Sequence, residues 1–283
     1  MDKPIVCVLR AEDPVEGVIE ALHKIKAQEL FSKEDRVLIK PNYITADHPS
    51  TGVTTDGRIV EGLVRFLKAL GIESIILGEG SGMADTMKAF KVAGLLELAG
   101  RYGLRLVDLN KDELVTVEIP GAVALKRVKI AKTALDSTFI VSVPKLKVHR
   151  MAGVTLSMKN MMGVVMPKGS VHSPLDEKIV DLNLVVKPKL AVVDGIVAGG
   201  RAELNSLPIS MGIVIAGEDP VAVDAVGAAL MGFDPLSIGH IRRAHERCLG
   251  VGDLTQIEVI GEAIDAVRRD FRSIAGHRGF WAL

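Results

Sequence analysis

Cysteine is nearly absent: the 283 residues include only Cys7 and Cys248. Two thiols cannot build a disulfide framework, a four-cysteine zinc site or an all-cysteine iron–sulfur cluster, so no such cluster is expected from this chain alone. Cys7 lies inside the apolar run IVCVL and reads as a small buried hydrophobe. Long apolar runs are missing too; none approaches the roughly 20 residues that cross a bilayer. The opening MDKPIVCVLRAED lacks the charged region, apolar stretch and small-residue cleavage site of a signal peptide. A cytoplasmic protein without a membrane partner is therefore the expectation. Neither sign of charge is in excess, since Lys+Arg and Asp+Glu each total 35. That balance gives no general attraction to nucleic acid, and none is expected as a partner.

What is present is 48% apolar and 25% charged residues, ordinary for a chain with a sizeable core. Short β-branched runs recur at 5–9, 37–39, 74–77, 104–109, 138–143, 190–193, 212–216 and 257–260. Apolar residues at consecutive positions fit strands covered on both faces. The run 114–119, LVTVEI, alternates and reads as an edge or hairpin strand. Between the runs lie helical stripes. One is Val15, Val18, Ile19, Leu22 and Ile25; another is Ile59, Leu63, Phe66, Leu67 and Leu70, with Thr54 and Thr55 as caps and Gly71 as the stop. Asp219-Pro220 reads as an N-cap and first-turn proline opening a helix over 220–231. The expected fold is α/β, with a mainly parallel or mixed central sheet and helices on both faces. A single α/β domain over 1–283 is expected, with two sub-lobes meeting near 150–175 as a variant. The tail RDFRSIAGHRGFWAL holds the sole tryptophan. It leaves open docking on its own domain, on a second copy in a homodimer, or at the mouth of the site.

Open parallel sheets bind ligands outside the carboxyl ends of their strands. The predicted strand ends are rich in functional side chains: Lys40 and Asn42 after VLI, Glu79 within GEGSG after SIIL, and Lys145, Lys147 and His149 after TFIVSV. Asp194 follows LAVV, and Glu218 and Asp219 follow GIVIA. PKLKVH alternates, which puts Lys145, Lys147 and His149 on one face of a continuing strand. TLSMKNMMG then gathers Thr155, Ser157, Lys159, Asn160 and Gly163, and His172 follows in the loop MPKGSVHSP. Lysines beside histidine, amide and hydroxyl groups form an anion cradle, and their repulsion lowers a lysine pKa towards a useful range. The expected ligand is a small anionic molecule. His149, Lys145 and Lys40 are the candidate catalytic residues, and Asn42, Glu79, Lys147, Lys159, Asn160 and His172 the candidate substrate contacts. A divalent metal stays open, with Glu79, Asp194 and Asp219 as its candidate ligands. Asp219 is better explained as a helix cap, and Asp194 as an acceptor for backbone donors in its turn. His23, His48, His240, His245 and His277 read as structural or surface residues.

These segments resemble the domain of unknown function 362 family between about Lys40 and Gly261. The resemblance rests on KPN at 40–42, TGVTT at 51–55, GEG at 78–80, PKLKVH at 144–149, TLSMKN at 155–160, DLN at 181–183, DG at 194–195 and EDPVAVDA at 218–225. Many members carry a ferredoxin-like cysteine insert and are described as iron–sulfur proteins. The resemblance thus implies a redox-associated role with an external iron–sulfur partner as the alternative to an enzyme of small-anion chemistry. A non-catalytic ligand- or metal-binding module is a third reading. This chain departs from the insert-bearing members, because its two isolated cysteines cannot supply that insert.

Overall fold

The computed structural model describes residues 3–274; His277, Trp281 and the end of the expected docking tail lie outside them. Thirteen strands occur in chain order among these residues: β1 Ile5–Arg10, β2 Val37–Pro41, β3 Ile75–Glu79, β4 Arg105–Asp108, β5 Leu114–Glu118, β6 Arg127–Ala131, β7 Phe139–Val143, β8 Lys145–His149, β9 Gly153–Thr155, β10 Val165–Met166, β11 Leu190–Gly200, β12 Leu207–Gly217 and β13 Glu258–Gly261. The principal helices are α1 Pro14–Lys24, α2 Gly57–Ala69, α3 Thr86–Val92, α4 Leu95–Tyr102, α5 Lys132–Asp136, α6 Ser157–Asn160, α7 Leu175–Asn183, α8 Pro220–Leu230 and α9 Gly239–Glu246. No helix of the described residues is long and apolar enough to cross a membrane.

The consecutive apolar positions do what their pattern requires. Val6, Val8, Leu38, Ile140 and Val193 enter one core, while Cys7, Val37, Ile39, Val141 and Val192 enter another. Alternate residues of one strand leave by opposite faces, so the two cores lie on the two faces of one sheet. Side chains of α1 and α2 fill the second core, and those of α7, α8 and α9 the first. The sheet runs β13-β1-β12-β11-β7-β2-β3-β4, with β8 and β9 joined to it through β11. Pairing is parallel between β11 and β7, β7 and β2, β2 and β3, and β3 and β4. The expected mixed, mostly parallel α/β sheet is the one found. LVTVEI forms β5 in a separate three-stranded antiparallel sheet, at its edge.

Three local expectations are corrected. β12 runs antiparallel to both β1 and β11. Its carboxyl end, with Glu218 and Asp219, therefore lies at the opposite sheet edge from Lys40 and Glu79. Asp219 instead caps α8, accepting from the N–H groups of Val221 and Ala222 at 2.8 and 3.2 Å, and it also accepts from Val251 N–H at 2.8 Å. It cannot share a metal with Glu79. The apolar run LAVV is only the start of β11, which continues to Gly200 in a long hairpin with β12. Asp194 is thus inside a strand, not beyond its end. Finally α2 is capped by Asp56, whose carboxylate accepts from Arg58 N–H at 2.9 Å, in place of Thr54 or Thr55. Thr55 donates across the sheet edge to the carbonyl of Val143 at 2.9 Å.

The DLN segment is structural. Asp181, fully buried in α7, accepts from the N–H groups of Val123, Ala124 and Leu125 at 3.0, 2.7 and 2.8 Å and from Arg247 Nη1 at 2.7 Å. Burial by itself would raise this carboxyl, but those donors outweigh it and hold it below the ordinary aspartate value. Replacing Asp181 with alanine strands three backbone donors and one guanidinium, so Asp181→Ala is expected to cost about 3 kcal/mol or more of stability. Urea unfolding measures it; an unshifted midpoint would mean that the 121–125 turn holds itself.

Candidate functional site

Parallel register brings β2, β3 and β7 to one edge together. Lys40 is the last residue but one of β2, opposite Ser142 of β7, and Glu79 ends β3. The Lys40 ammonium is fully buried and donates to Glu79 Oε2 at 2.7 Å, to Asn160 Oδ1 at 2.9 Å and to the carbonyl of Pro41 at 3.0 Å. Burial pushes Lys40 below the ordinary lysine value, and the Glu79 charge opposes that shift. Three acceptors match the three protons of an ammonium, which is what a buried lysine needs. Asn160 closes the network by donating to the carbonyl of Lys40 at 2.9 Å and to Ser142 Oγ at 3.0 Å. Asn42 Nδ2 donates to Asn160 Oδ1 at 3.1 Å.

α6 brings Asn160 and Lys159 to this edge. It is one turn long and is held by a buried carboxylate from α8: Asp224 accepts from Ser157 N–H at 2.6 Å and Met158 N–H at 3.0 Å. Burial raises Asp224 to about 8 despite those two donors. Asn183 Nδ2 fixes the other side, donating to the carbonyl of Met158 at 3.0 Å. Two glycines let the elements close up. A Cβ on Gly163 would stand 2.6 Å from Glu79 Oε1 and 2.7 Å from Lys40 Nζ, and one on Gly80 would stand 2.7 Å from Lys168 Nζ.

Beside the network lies a cavity of about 110 Å³, lined by Lys40, Asn42, Tyr43, Glu79, Thr155, Lys159, Asn160, Lys168 and His172 together with short apolar residues and glycines. Lys168 Nζ donates to the carbonyl of Gly163 at 2.7 Å, and His172 Nδ1 meets the carbonyl of Lys168 at 2.7 Å. Burial lowers Lys168 to about 8; Glu79 opposes and Lys40 adds to the shift. Lys159 also falls to about 8, by burial first, with Glu203 opposing and Lys40 adding. Its ammonium has no hydrogen bond or ion pair among the described residues. Three of the residues that line the cavity carry a neutral polar atom that is buried and unpartnered: Asn42 Oδ1, Tyr43 OH and Thr155 Oγ1. Three lysines face one carboxylate, Glu79, so the cavity has an excess of positive charge.

The sequence-predicted residues Lys40, Asn42, Glu79, Lys159, Asn160 and His172 all line this cavity, whereas Lys145, Lys147, His149 and Asp194 do not. Lys145 is in a buried pair with Asp194, Nζ to Oδ2 at 2.8 Å. Asp194 also accepts from Asp56 N–H at 2.7 Å, which anchors the start of α2. Lys147 donates to the carbonyl of Val53 at 2.8 Å; burial first, then Lys159 and Lys145, lower it to about 7. His149 Nδ1 accepts from the N–H groups of Met151 and Ala152, each at 3.2 Å. Burial, then Lys159, pushes His149 down, so its imidazole is neutral at physiological pH. No cluster of three or more His, Cys, Asp or Glu side chains able to hold a metal occurs among the described residues; Glu79, Asp194 and Asp219 point to three different partners.

Sequence reasoning missed Tyr43, Lys168 and the cavity role of Thr155. Tyr43 is next to Asn42 and Lys168 is inside MPKGSVHSP, so adjacency to the chosen residues was the available signal. His240, read as structural or surface, is fully buried on α9, with Nδ1 3.5 Å from Asp176 Oδ1.

The sequence matches the profile of a family described as "Domain of unknown function (DUF362)" over residues 37–229. That span contains every cavity-lining residue. A thylakoid-associated protein of Synechocystis sp. is 24% identical over 214 residues, covering 72% of this chain. The chain spans 65% of that relative's length. Among solved structures, the lactate racemase apoprotein of Thermoanaerobacterium thermosaccharolyticum aligns with a TM-score of 0.44 and 16% identity, over 74% of this chain and 54% of the other.

Two outcomes follow from the geometry. Gly163→Ala would force a methyl group against the Lys40–Glu79 pair, at an expected cost of about 1–3 kcal/mol in thermal or urea unfolding; a neutral substitution would show that the α6 segment yields freely. Lys159 supplies a pH test. With its folded value near 8 and its ordinary value 10.5, the unfolded chain binds this proton more tightly than the folded one. Its penalty is fully present below about pH 8 and is relieved as pH rises from there to 10.5. Lys159→Met is therefore expected to be more stable than the parent at pH 7 by on the order of 2 kcal/mol, an advantage that shrinks to nothing across that window. Urea titrations in anion-poor buffer measure it, and an equal advantage at both ends of the window would contradict an unpartnered ammonium.

Proposed function

The chain belongs to the family described as Domain of unknown function (DUF362), and from the cavity that its matched segment builds we propose that it is an enzyme acting on a small anionic metabolite. One observation carries the reading: Lys159 faces a cavity with its ammonium unpaired among the described residues, beside the unpartnered Tyr43 OH and Thr155 Oγ1. Tyr43 and Thr155 are 1% and 3% exposed, so bulk water does not readily supply their missing partners. A folded protein seldom leaves a buried donor unmet, and each such group costs about 1–3 kcal/mol. An anionic ligand that meets Lys159 and these hydroxyls removes that cost.

In this reading Lys159 binds the anionic group and Lys168 adds a second positive charge. The Lys40–Glu79–Asn160 network holds the floor of the cavity rigid. Acid–base chemistry falls to a lysine rather than to His149, whose Nδ1 is already occupied by two backbone donors. A lysine with a value of about 8 keeps roughly a tenth of its population neutral at pH 7, enough to accept a proton, and the charged remainder donates one. The volume, about 110 Å³, matches roughly four waters at about 30 Å³ each. The part of the ligand that enters is therefore only a handful of heavy atoms.

Calorimetric titration of the ligand-free protein with acetate, methylphosphonate and inorganic phosphate tests the reading. At least one of these anions is expected to bind, and Lys159→Met is expected to weaken it by about tenfold or more. Loss of the single charge, with the fold intact by circular dichroism, identifies Lys159 as the contact. Failure of all three anions to bind, or equal binding by the variant, would overturn it.

A further inference from the structure

The hydrogen-bond network around Asn160 fixes which way two amides point. Lys40 Nζ, a donor with no acceptor, faces Asn160 Oδ1 at 2.9 Å. The Lys40 carbonyl, an acceptor only, faces Asn160 Nδ2 at 2.9 Å. A flipped Asn160 would set its amino group against the ammonium and its oxygen against the carbonyl, so one orientation is allowed. Asn160 Oδ1 in turn requires a donor from Asn42, and Asn42 Nδ2 supplies it at 3.1 Å. The polarity set by one buried ammonium is thus passed through two amides. Asn42, a residue of the cavity wall, is left with its carbonyl oxygen as the unused end, buried and with no hydrogen-bond partner. An amide oxygen only accepts.

We propose that the ligand of this cavity carries, besides its anionic group, an uncharged O–H that donates to Asn42 Oδ1: a small hydroxyl-bearing carboxylate or phosphonate-like anion. The inference deepens the anion-binding reading and rests on it. An ammonium would satisfy the same acceptor, but Lys40, Lys159 and Lys168 line the same small space against the single Glu79 carboxylate. A further positive charge there is repelled, which selects a hydroxyl over an amine. The specificity would then be of the strong kind, since a site built to accept a hydrogen from its ligand leaves its own oxygen stranded when an analogue lacks it.

Matched pairs of probes isolate the hydroxyl. Glycolate against acetate, and hydroxymethylphosphonate against methylphosphonate, differ by one O–H at constant charge; glycine adds an ammonium in place of the hydroxyl. The whole chain is titrated with each by calorimetry at pH 7. The hydroxyl member of whichever pair binds is expected to be favoured about fivefold or more, and glycine is expected to bind more weakly than glycolate. The pair that binds also tells a carboxylate from a phosphoryl head group. Asn42→Ala is expected to abolish the preference, the hydroxyl-bearing and hydroxyl-free members of the pair then binding alike within about twofold of each other. Equal affinity within both pairs, or glycine binding as well as glycolate, would overturn the inference while the anion reading stood. No binding by any of the five probes or by inorganic phosphate would instead overturn the anion reading, and this inference with it; phosphate binding without any of the five would overturn this inference alone.

Discussion

Taking the Lys40 ammonium out of water carries a penalty of several kcal/mol, and the carboxyl edge of the sheet is organised around meeting it. Glu79 supplies the counter-charge from β3, Asn160 an amide oxygen from α6, and Pro41 a carbonyl from the same strand. Removing any of these leaves a buried charge under-satisfied. The pair therefore ties two strands and a helix into one geometry; Gly163 is small because the pair needs the space, and Gly80 because the Gly163 carbonyl and Lys168 Nζ stand against it. The cavity is what is left over when these groups have been satisfied. Lys159, one residue from Asn160, is presented beside the network without a partner of its own.

The polar residues of the family segments divide into two kinds. Asp181, Asn183, Asp194 and Asp224 hold backbone N–H groups, carbonyls or a lysine in place, and each is fully buried. They shape the turn at 121–125, the start of α2 and the single turn of α6. Lys40, Asn42, Glu79, Lys159 and Asn160 converge on the cavity. A one-turn helix has little stability of its own, so the position of Lys159 depends on carboxylate and amide groups that arrive from α7 and α8. Site geometry and core packing are in this respect one problem: a change at Asp224 reaches Lys159 through the N–H groups of Ser157 and Met158.

Strand character, the covered faces of the sheet and most of the polar residues that line the cavity were legible in the sequence for a physical reason. A strand buried on both faces must be apolar at consecutive positions, so VLI, SIIL and TFIVSV announce themselves, and the side chains after them land at the carboxyl edge if the strands are parallel. That argument found Lys40, Asn42 and Glu79 without further information. It failed for Asp219 because an apolar run carries no sign of its direction, and β12 is the strand that runs the other way. It failed for Lys145, Lys147 and His149 because alternation fixes a shared face but not what lies against that face. Asp194, the Val53 carbonyl and two backbone N–H groups occupy it.

The sequence by itself determined the periodicities, the α/β class, the shortage of thiolates and the family, since each follows from residues read locally or in order. The pairing of charges was decided only by the tertiary structure. Lys40 meets a carboxylate 39 residues away and an amide 120 residues away, and Lys145 a carboxylate 49 residues away. Lys159 has the same side chain and a similar apolar context, yet it meets none among the described residues. Which of several equivalent lysines is neutralised and which is left unpaired among the described residues depends on distances of about 3 Å between segments far apart in the chain. Strand order and direction set those distances, and no local pattern encodes them.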